Sequence, residues 1–165
     1  MSEKLALLIA TYGGLGLSPK APGTVGSLAT LPLAFLLCYF GGAYAVIIAS
    51  VLIFVIGTPA THELIKNQQE KDPGKVVIDE VVGQLLTFLF VADDLLYRNI
   101  QNWWIYLFGF AAFRFFDICK MGPVKWFDRN VKNAYGVMCD DICAGLMGGF
   151  CMWMGVRIYM QYVLQ

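Results

Sequence analysis

The chain has 165 residues, 58% of them hydrophobic and only 15% charged, with a mean hydropathy of +0.62. Soluble domains carry about 25% charged residues, so the composition argues against an ordinary soluble globule and for one membrane-associated domain over residues 1–165. Twelve basic residues balance twelve acidic ones, which leaves nucleic acid no electrostatic footprint, and the five cysteines have neither the even count of a disulfide framework nor the spacing of a zinc site.

Residues 1–10 are short and run into a glycine-rich stretch, so no cleavable signal peptide is expected. Residues 11–27, TYGGLGLSPKAPGTVGS, carry too many breakers for a helix. A glycine-rich loop before a helix can cradle phosphate through backbone N–H groups, although this one lacks the Lys-Ser/Thr ending of a P-loop, and a plain surface or re-entrant loop fits as well. Residues 28–57 are almost continuously apolar and broken at Gly41-Gly42, which predicts a hairpin of two short helices. Residues 59–75 are polar and include a turn signal, Asp72-Pro73-Gly74. His62 lies in this stretch and is expected at the surface or at a helix end, not in catalysis.

Next, Asp79-Glu80 opens an apolar helix that closes at Asp93-Asp94, read as a solvated turn. An aromatic helix is predicted over 103–116 and a last apolar helix over 142–164. Between them lies a dense charge cluster. Arg114 and Asp117 share a helix face, Lys120 continues it, and Gly122-Pro123 stops the helix before a basic, loop-like connection reaching Gly136. Asp140-Asp141 then echoes Asp79-Glu80: two acids, then small residues, then an apolar helix. Both pairs suit helix starts. With Asp117 they also make an oxygen-rich set of the kind Mg²⁺ prefers. Ten of the twelve basic residues fall before residue 28, between 58 and 80, or between 114 and 132, while Arg98 and Arg157 fall in alternate segments. The positive-inside rule therefore places the amino terminus and both acidic mouths on the cytoplasmic side.

Taken in order, GLGLSPKAPGTVGSL (14–28), VVIDEVVGQ (76–84), FRFFDICKMGPVKWFDRN (113–130) and GVMCDDICAG (136–145) resemble the bacterial phosphatidylglycerophosphatase A family. The resemblance covers nearly the whole chain. It implies an all-α fold in the bacterial inner membrane and a Mg²⁺-dependent phosphatase that converts phosphatidylglycerophosphate to phosphatidylglycerol. The family pattern Lys-Pro-x-Pro is here Lys120-Met121-Gly122-Pro123, with the charged positions intact. The combined expectation is a compact bundle of mostly short apolar helices, with breaker-rich loops carrying the site. Asp79, Glu80, Asp140 and Asp141 would hold Mg²⁺; Arg114, Lys120 and Arg129 would bind phosphate, with Thr24 and Ser27 contributing from the loop. Asp117 would orient Arg114 or join the metal. Neither the DxDx[TV] nor the Cys-x₅-Arg phosphatase pattern is present, so the nucleophile stays open between water and an aspartate. Two other classes stay open: a helical Mg²⁺-dependent nucleotide pyrophosphatase, and a small transporter or structural membrane protein. No oligomeric state follows from the sequence.

Overall fold

A computed structural model describes residues 1–66, 74–97 and 102–163. Among these are seven α-helices and no strand: α1 Glu3–Ala10, α2 Pro22–Ile65, α3 Ile78–Thr87, α4 Ala92–Tyr97, α5 Trp103–Cys119, α6 Pro123–Asn130 and α7 Ala134–Val163, with a 3₁₀ turn at Leu15–Leu17. Asp72 and Pro73 of the expected turn, Arg98, and the last residue of the expected final helix lie outside the described residues.

The all-α expectation holds, but several boundaries move, each for a local reason. α2 begins at Pro22, inside the stretch expected to be loop, because proline is tolerated at a first helical position. It also runs past Pro59 to Ile65, so the polar connection starts later than expected. α7 has 30 residues because it starts at Ala134, eight residues before the expected 142, and the 44 residues of α2 are two arms joined at Gly42. The connection from 123 to 136 contains α6 and the first turn of α7, not only loop.

The hairpin in α2 is real and turns at one residue. Gly42 has φ +56° and ψ −146°, a conformation that side chains resist. The Ala43 N–H that this break frees donates to Asp93 Oδ1 at 2.8 Å. Asp93-Asp94 is thus the first turn of α4 instead of a connecting turn, with Asp93 exposed while it caps its neighbour, and Asp94 pairs with Arg157 at 3.6 Å. Each arm of the hairpin is about 30 Å long at 1.5 Å per residue, close to the thickness of a bilayer's hydrocarbon core.

The contacts fix how the helices run. The first arm of α2 lies along α3 and on to α4, with Gly26 against Val77 at one end and Gly42 against Asp93 at the other, and the second arm returns until Gly57 meets Ile78. α7 runs parallel to α3, since Gly145 meets Gly83 and Gly149 meets Leu86. α5 runs antiparallel to both: Gly148 touches Phe113, Gly109 approaches Met152, and Trp104 packs on Tyr159. As a result the N-termini of α2 and α3 and the C-terminus of α5 gather at one end of the bundle.

Residue size is distributed inside out along α2. Ala34, Cys38, Val46, Ser50 and Gly57 face inward, while Phe40, Ile48, Leu52 and Val55 are exposed. Small residues at helix contacts with large apolar ones outside is the packing expected in lipid, where helices gain little from hiding bulky side chains. Two helices, Pro22–Ile65 and Ala134–Tyr162, are long and apolar enough to cross a membrane.

The α3–α7 contact has no slack. A Cβ on Gly145 would stand 2.2 Å from Gly83 O, whereas one on Gly148 would be 3.2 Å from its nearest neighbour, Phe113 N. Gly145→Ala should therefore destabilise the detergent-solubilised protein by roughly 1–3 kcal/mol through overpacking, with Gly148→Ala clearly milder. Thermal unfolding of the two variants checks this, and equal melting temperatures would contradict it.

Candidate active site

At the gathered end is a pocket of about 250 Å³, lined by Ala21 just before α2, by Pro22, Gly23 and Thr24 in its first turn, by Gly74 and Val76, and by seven charged residues: Asp79, Glu80, Arg114, Asp117, Lys120, Asp140 and Asp141. Asp79 and Glu80 occupy the first turn of α3, where the helix dipole favours carboxylates. Asp79 is 5% exposed, and its Oδ1 accepts the Glu80 N–H at 2.9 Å.

Asp140 and Asp141 arrive differently from the expectation. α7 starts at Ala134 behind Asn133, whose Oδ1 accepts the Gly136 N–H at 3.1 Å, so the two aspartates stand nearly two turns inside the helix. The helix-start reading of this pair is thereby removed. They are 7% and 5% exposed, in a stretch where buried carboxylates do nothing for the helix itself. The charges bearing on Asp141 come from Asp79, Asp117, Asp140 and Glu80.

Arg114 is the hub. Its Nη1 lies 2.8 Å from Asp117 Oδ2 and 3.1 Å from Glu80 Oε2, so the expected pairing along α5 is joined by one across to α3. These are ion-pair distances, but the N–H directions meet neither oxygen, and the buried Nε also has no hydrogen-bond partner among the described residues. The guanidinium is thus held in place by charge between the two carboxylates.

Lys120 ends α5 in the left-handed region, with φ +44°, instead of extending the helix by another turn. Its ammonium reaches Asp128 at 2.6 Å and Asp140 at 3.5 Å. Burial acts to lower its pKa, but the bond to Asp128 and the charges of Asp140 and Asp117 prevail and raise it, so the side chain is a permanent cation.

Of the expected phosphate contacts, Arg114, Lys120 and Thr24 line the pocket, whereas Ser27 sits behind it and Arg129 is exposed on α6, outside the lining. Ser27 Oγ lies 2.9 Å from Glu80 Oε2 and from Gly23 O, so it supports the glutamate. Glu80, expected among the metal ligands, is engaged by Arg114 and Ser27. His62 is exposed and lines a separate, larger cavity of about 550 Å³ with Phe54, Pro59 and Tyr135, away from the acids.

The packing role of three glycines escaped the sequence reading. Gly23 leaves the space that Glu80 occupies, since a Cβ there would fall 1.7 Å from Glu80 Oε1, and Gly83 and Gly145 let α3 touch α7. Their signal was the spacing, because each glycine of that last pair follows its aspartate, Asp79 or Asp141, by one helical turn.

Among the described residues no three Asp, Glu, His or Cys side chains form a ready-made metal cage. Mg²⁺ seldom needs one: it commonly binds through one or two carboxylates, completing its octahedron with waters and substrate phosphate oxygens. The donor chemistry fits, since every acidic group here offers hard oxygen. So does the charge balance. Five carboxylates and two cations line the pocket, so a phosphate dianion entering without an added cation would meet a surplus of negative charge.

An all-α bundle with a carboxylate-rich pocket at one end is the class that fold and site define. Comparison with known proteins gives the family. The family model described as Phosphatidylglycerophosphatase A matches residues 8–156. A phosphatidylglycerophosphatase A of Escherichia coli is 36% identical over 141 residues, covering 85% of this chain and 77% of that protein. The Haemophilus influenzae protein of the same name is 34% identical over 139 residues, covering 84% and 81%. A Bacteroides thetaiotaomicron protein provisionally named a phosphatidylinositol-3-phosphatase is 37% identical over 146 residues, covering 86% and 87%. No solved structure matches the chain. The chain belongs to the phosphatidylglycerophosphatase A family.

Burial gives the site one pH-dependent property. The Glu80 carboxyl is pushed up from 4.5 to about 7, chiefly by desolvation and further by Asp117, against the lowering effect of Arg114 and Ser27. Between those values the folded protein holds a proton that the unfolded chain has lost, so this group's contribution falls as pH rises, by up to about 3 kcal/mol. Metal-free protein should accordingly lose melting temperature from pH 4.5 to 7, and Glu80→Gln should lose that part of the slope. An identical slope in the variant would contradict the burial argument.

Proposed function

We propose that this chain hydrolyses the terminal phosphomonoester of phosphatidylglycerophosphate, yielding phosphatidylglycerol and phosphate, in a Mg²⁺-dependent reaction. The observation that carries the reading is the composition of the pocket: two cations and a helix N-terminus face an excess of carboxylates at the end of an apolar bundle. Arg114 and Lys120 bind phosphate oxygens. The N–H groups of Gly23 and Thr24, in the first turn of α2, have no intrahelical acceptor and favour an anion at the same place. Asp79, Asp140 and Asp141 would hold Mg²⁺, which when bound offsets charge developing on the phosphoryl oxygens. Glu80 and Asp117 keep Arg114 in position, with Ser27 behind Glu80. Hydrolysis breaks the bond between phosphorus and the glycerol oxygen and delivers the phosphoryl group to water.

The inside-out packing supports residence in a membrane, and the family resemblance points to the bacterial inner membrane. The clustering of basic residues supports a cytoplasmic-facing site. Exposed Trp126 near the site and exposed Trp103 at the opposite end suit the two interfaces. A thiol label introduced at Lys125 should then be reached only from the cytoplasmic side, and labelling from outside intact cells would overturn the orientation.

The direct test is phosphate release by purified protein from phosphatidylglycerophosphate, phosphatidylinositol 3-phosphate and a nucleotide, each with Mg²⁺ and with chelator. The expected result is release from phosphatidylglycerophosphate that the chelator abolishes. Release unaffected by chelator would remove the metal, preference for the inositol lipid would reassign the headgroup, and preference for the nucleotide would favour a pyrophosphatase.

A further inference from the structure

We propose that the seam between α5 and α7 directly beneath the Lys120–Asp140 pair binds one acyl chain of the lipid substrate, in a groove walled by Phe116, Leu146, Met147, Phe150 and Cys151. This rests on the lipid phosphatase reading and extends it from the headgroup to the chain.

Helical spacing on α7 ties the groove to the site, because Met147 and Cys151 follow Asp140 by seven and eleven residues. Intervals of 7 and 11 return to the same face of a helix. The α7 face that carries Asp140 therefore continues downward as one wall of the groove, and the facing wall is Phe116, one turn before Lys120, whose N–H donates to the Phe116 carbonyl at 3.0 Å and whose ammonium reaches Asp140 at 3.5 Å.

The shape and surroundings suit a hydrocarbon chain. The groove encloses about 340 Å³, and none of its walls carries a charged side chain. Its rim residues Leu146 and Phe150 are 37% and 55% exposed, so it opens sideways from the bundle. Its back is sealed by a separate apolar cluster of Phe113, Val124 and Ala144, against which Phe116, Cys143 and Met147 pack. The eleven helical steps from Asp140 to Cys151 span about 16 Å, roughly half of a ~30 Å hydrocarbon core and so the depth of one leaflet. A lipid whose phosphate is held by Lys120 and Arg114 would have a chain at this depth. Contacts made there, far from the reacting phosphorus, can be used to align the headgroup.

The test compares kcat/KM for dioleoyl and dihexanoyl phosphatidylglycerophosphate in mixed micelles at one fixed surface fraction. The wild-type enzyme should prefer the long chain by about tenfold or more, the scale of a methylene or so bound in an apolar pocket. Cys151→Phe, which fills the groove, should remove most of that preference and leave turnover of the dihexanoyl lipid unchanged. Met147→Ala, which should fold even if the bulkier variant does not, should cut the preference several-fold by removing a wall. Preference unchanged in the folded variants, or equal losses on both lipids, would overturn the acyl site. Wild-type hydrolysis with no chain-length preference would overturn it too while leaving the phosphatase reading intact; no hydrolysis of either lipid would bring down both.

Discussion

The backbone contact between α3 and α7, where Gly83 and Gly145 leave no room for a methyl group, is the constraint on which the site depends. Because the two helices run parallel and touch one turn below Asp79 and Asp141, both carboxylates are brought to the same level of the bundle and buried. Carboxylates gathered so closely repel one another, and burial removes the water that would otherwise screen them. The cost is only partly offset by the cations that α5 supplies. Arg114 serves Glu80 and Asp117, and Lys120 serves Asp140 and Asp128. What is left over is an unbalanced cluster of hard oxygen donors facing a helix N-terminus, which the proposed function reads as the place for Mg²⁺ and a phosphate together.

The remainder of the fold carries this end of the molecule. α2 doubles back at Gly42 so that both of its ends reach α3, and its bulky apolar residues face outward. The bundle thus has a polar, charged end and an apolar girth, which is the polarity of its proposed substrate. A phosphomonoester on a lipid must be met at the boundary between water and hydrocarbon, and the pocket stands at the end of helices about as long as the hydrocarbon is thick.

Much of this was legible from the residues, because charges set in an apolar chain stand out. Asp79, Glu80, Arg114, Asp117, Lys120, Asp140 and Asp141 were all singled out, and one pocket brings them together. The hairpin at Gly41-Gly42 was legible too, since few residues other than glycine take the conformation of Gly42. Less legible were the helix starts at Pro22 and Ala134, whose local signals, a first-turn proline and the Asn133 cap, lay inside stretches read as loop because of their many breakers and charges. The echo between the two acidic pairs suggested matching Asp79-Glu80 to Asp140-Asp141 in register. The structure instead sets Asp79 at the level of Asp141, one residue along, because the glycines that permit contact lie four residues beyond each. Arg129 was chosen for its charge alone, and its place on the exposed face of α6 depends on packing that spacing does not encode.

The central claim is that Asp141 is buried to hold a cation, not to build the helix. Asparagine has nearly the same shape as aspartate and carries no charge, so Asp141→Asn separates the two roles. The paired measurement is the melting temperature of metal-free protein and the turnover of phosphatidylglycerophosphate across a Mg²⁺ titration. The account predicts an equal or higher metal-free melting temperature, because a repelling charge is gone, and turnover lower by about a hundredfold or more, the scale of lost transition-state electrostatics. A lower melting temperature with near-normal turnover would contradict it and make Asp141 a structural residue.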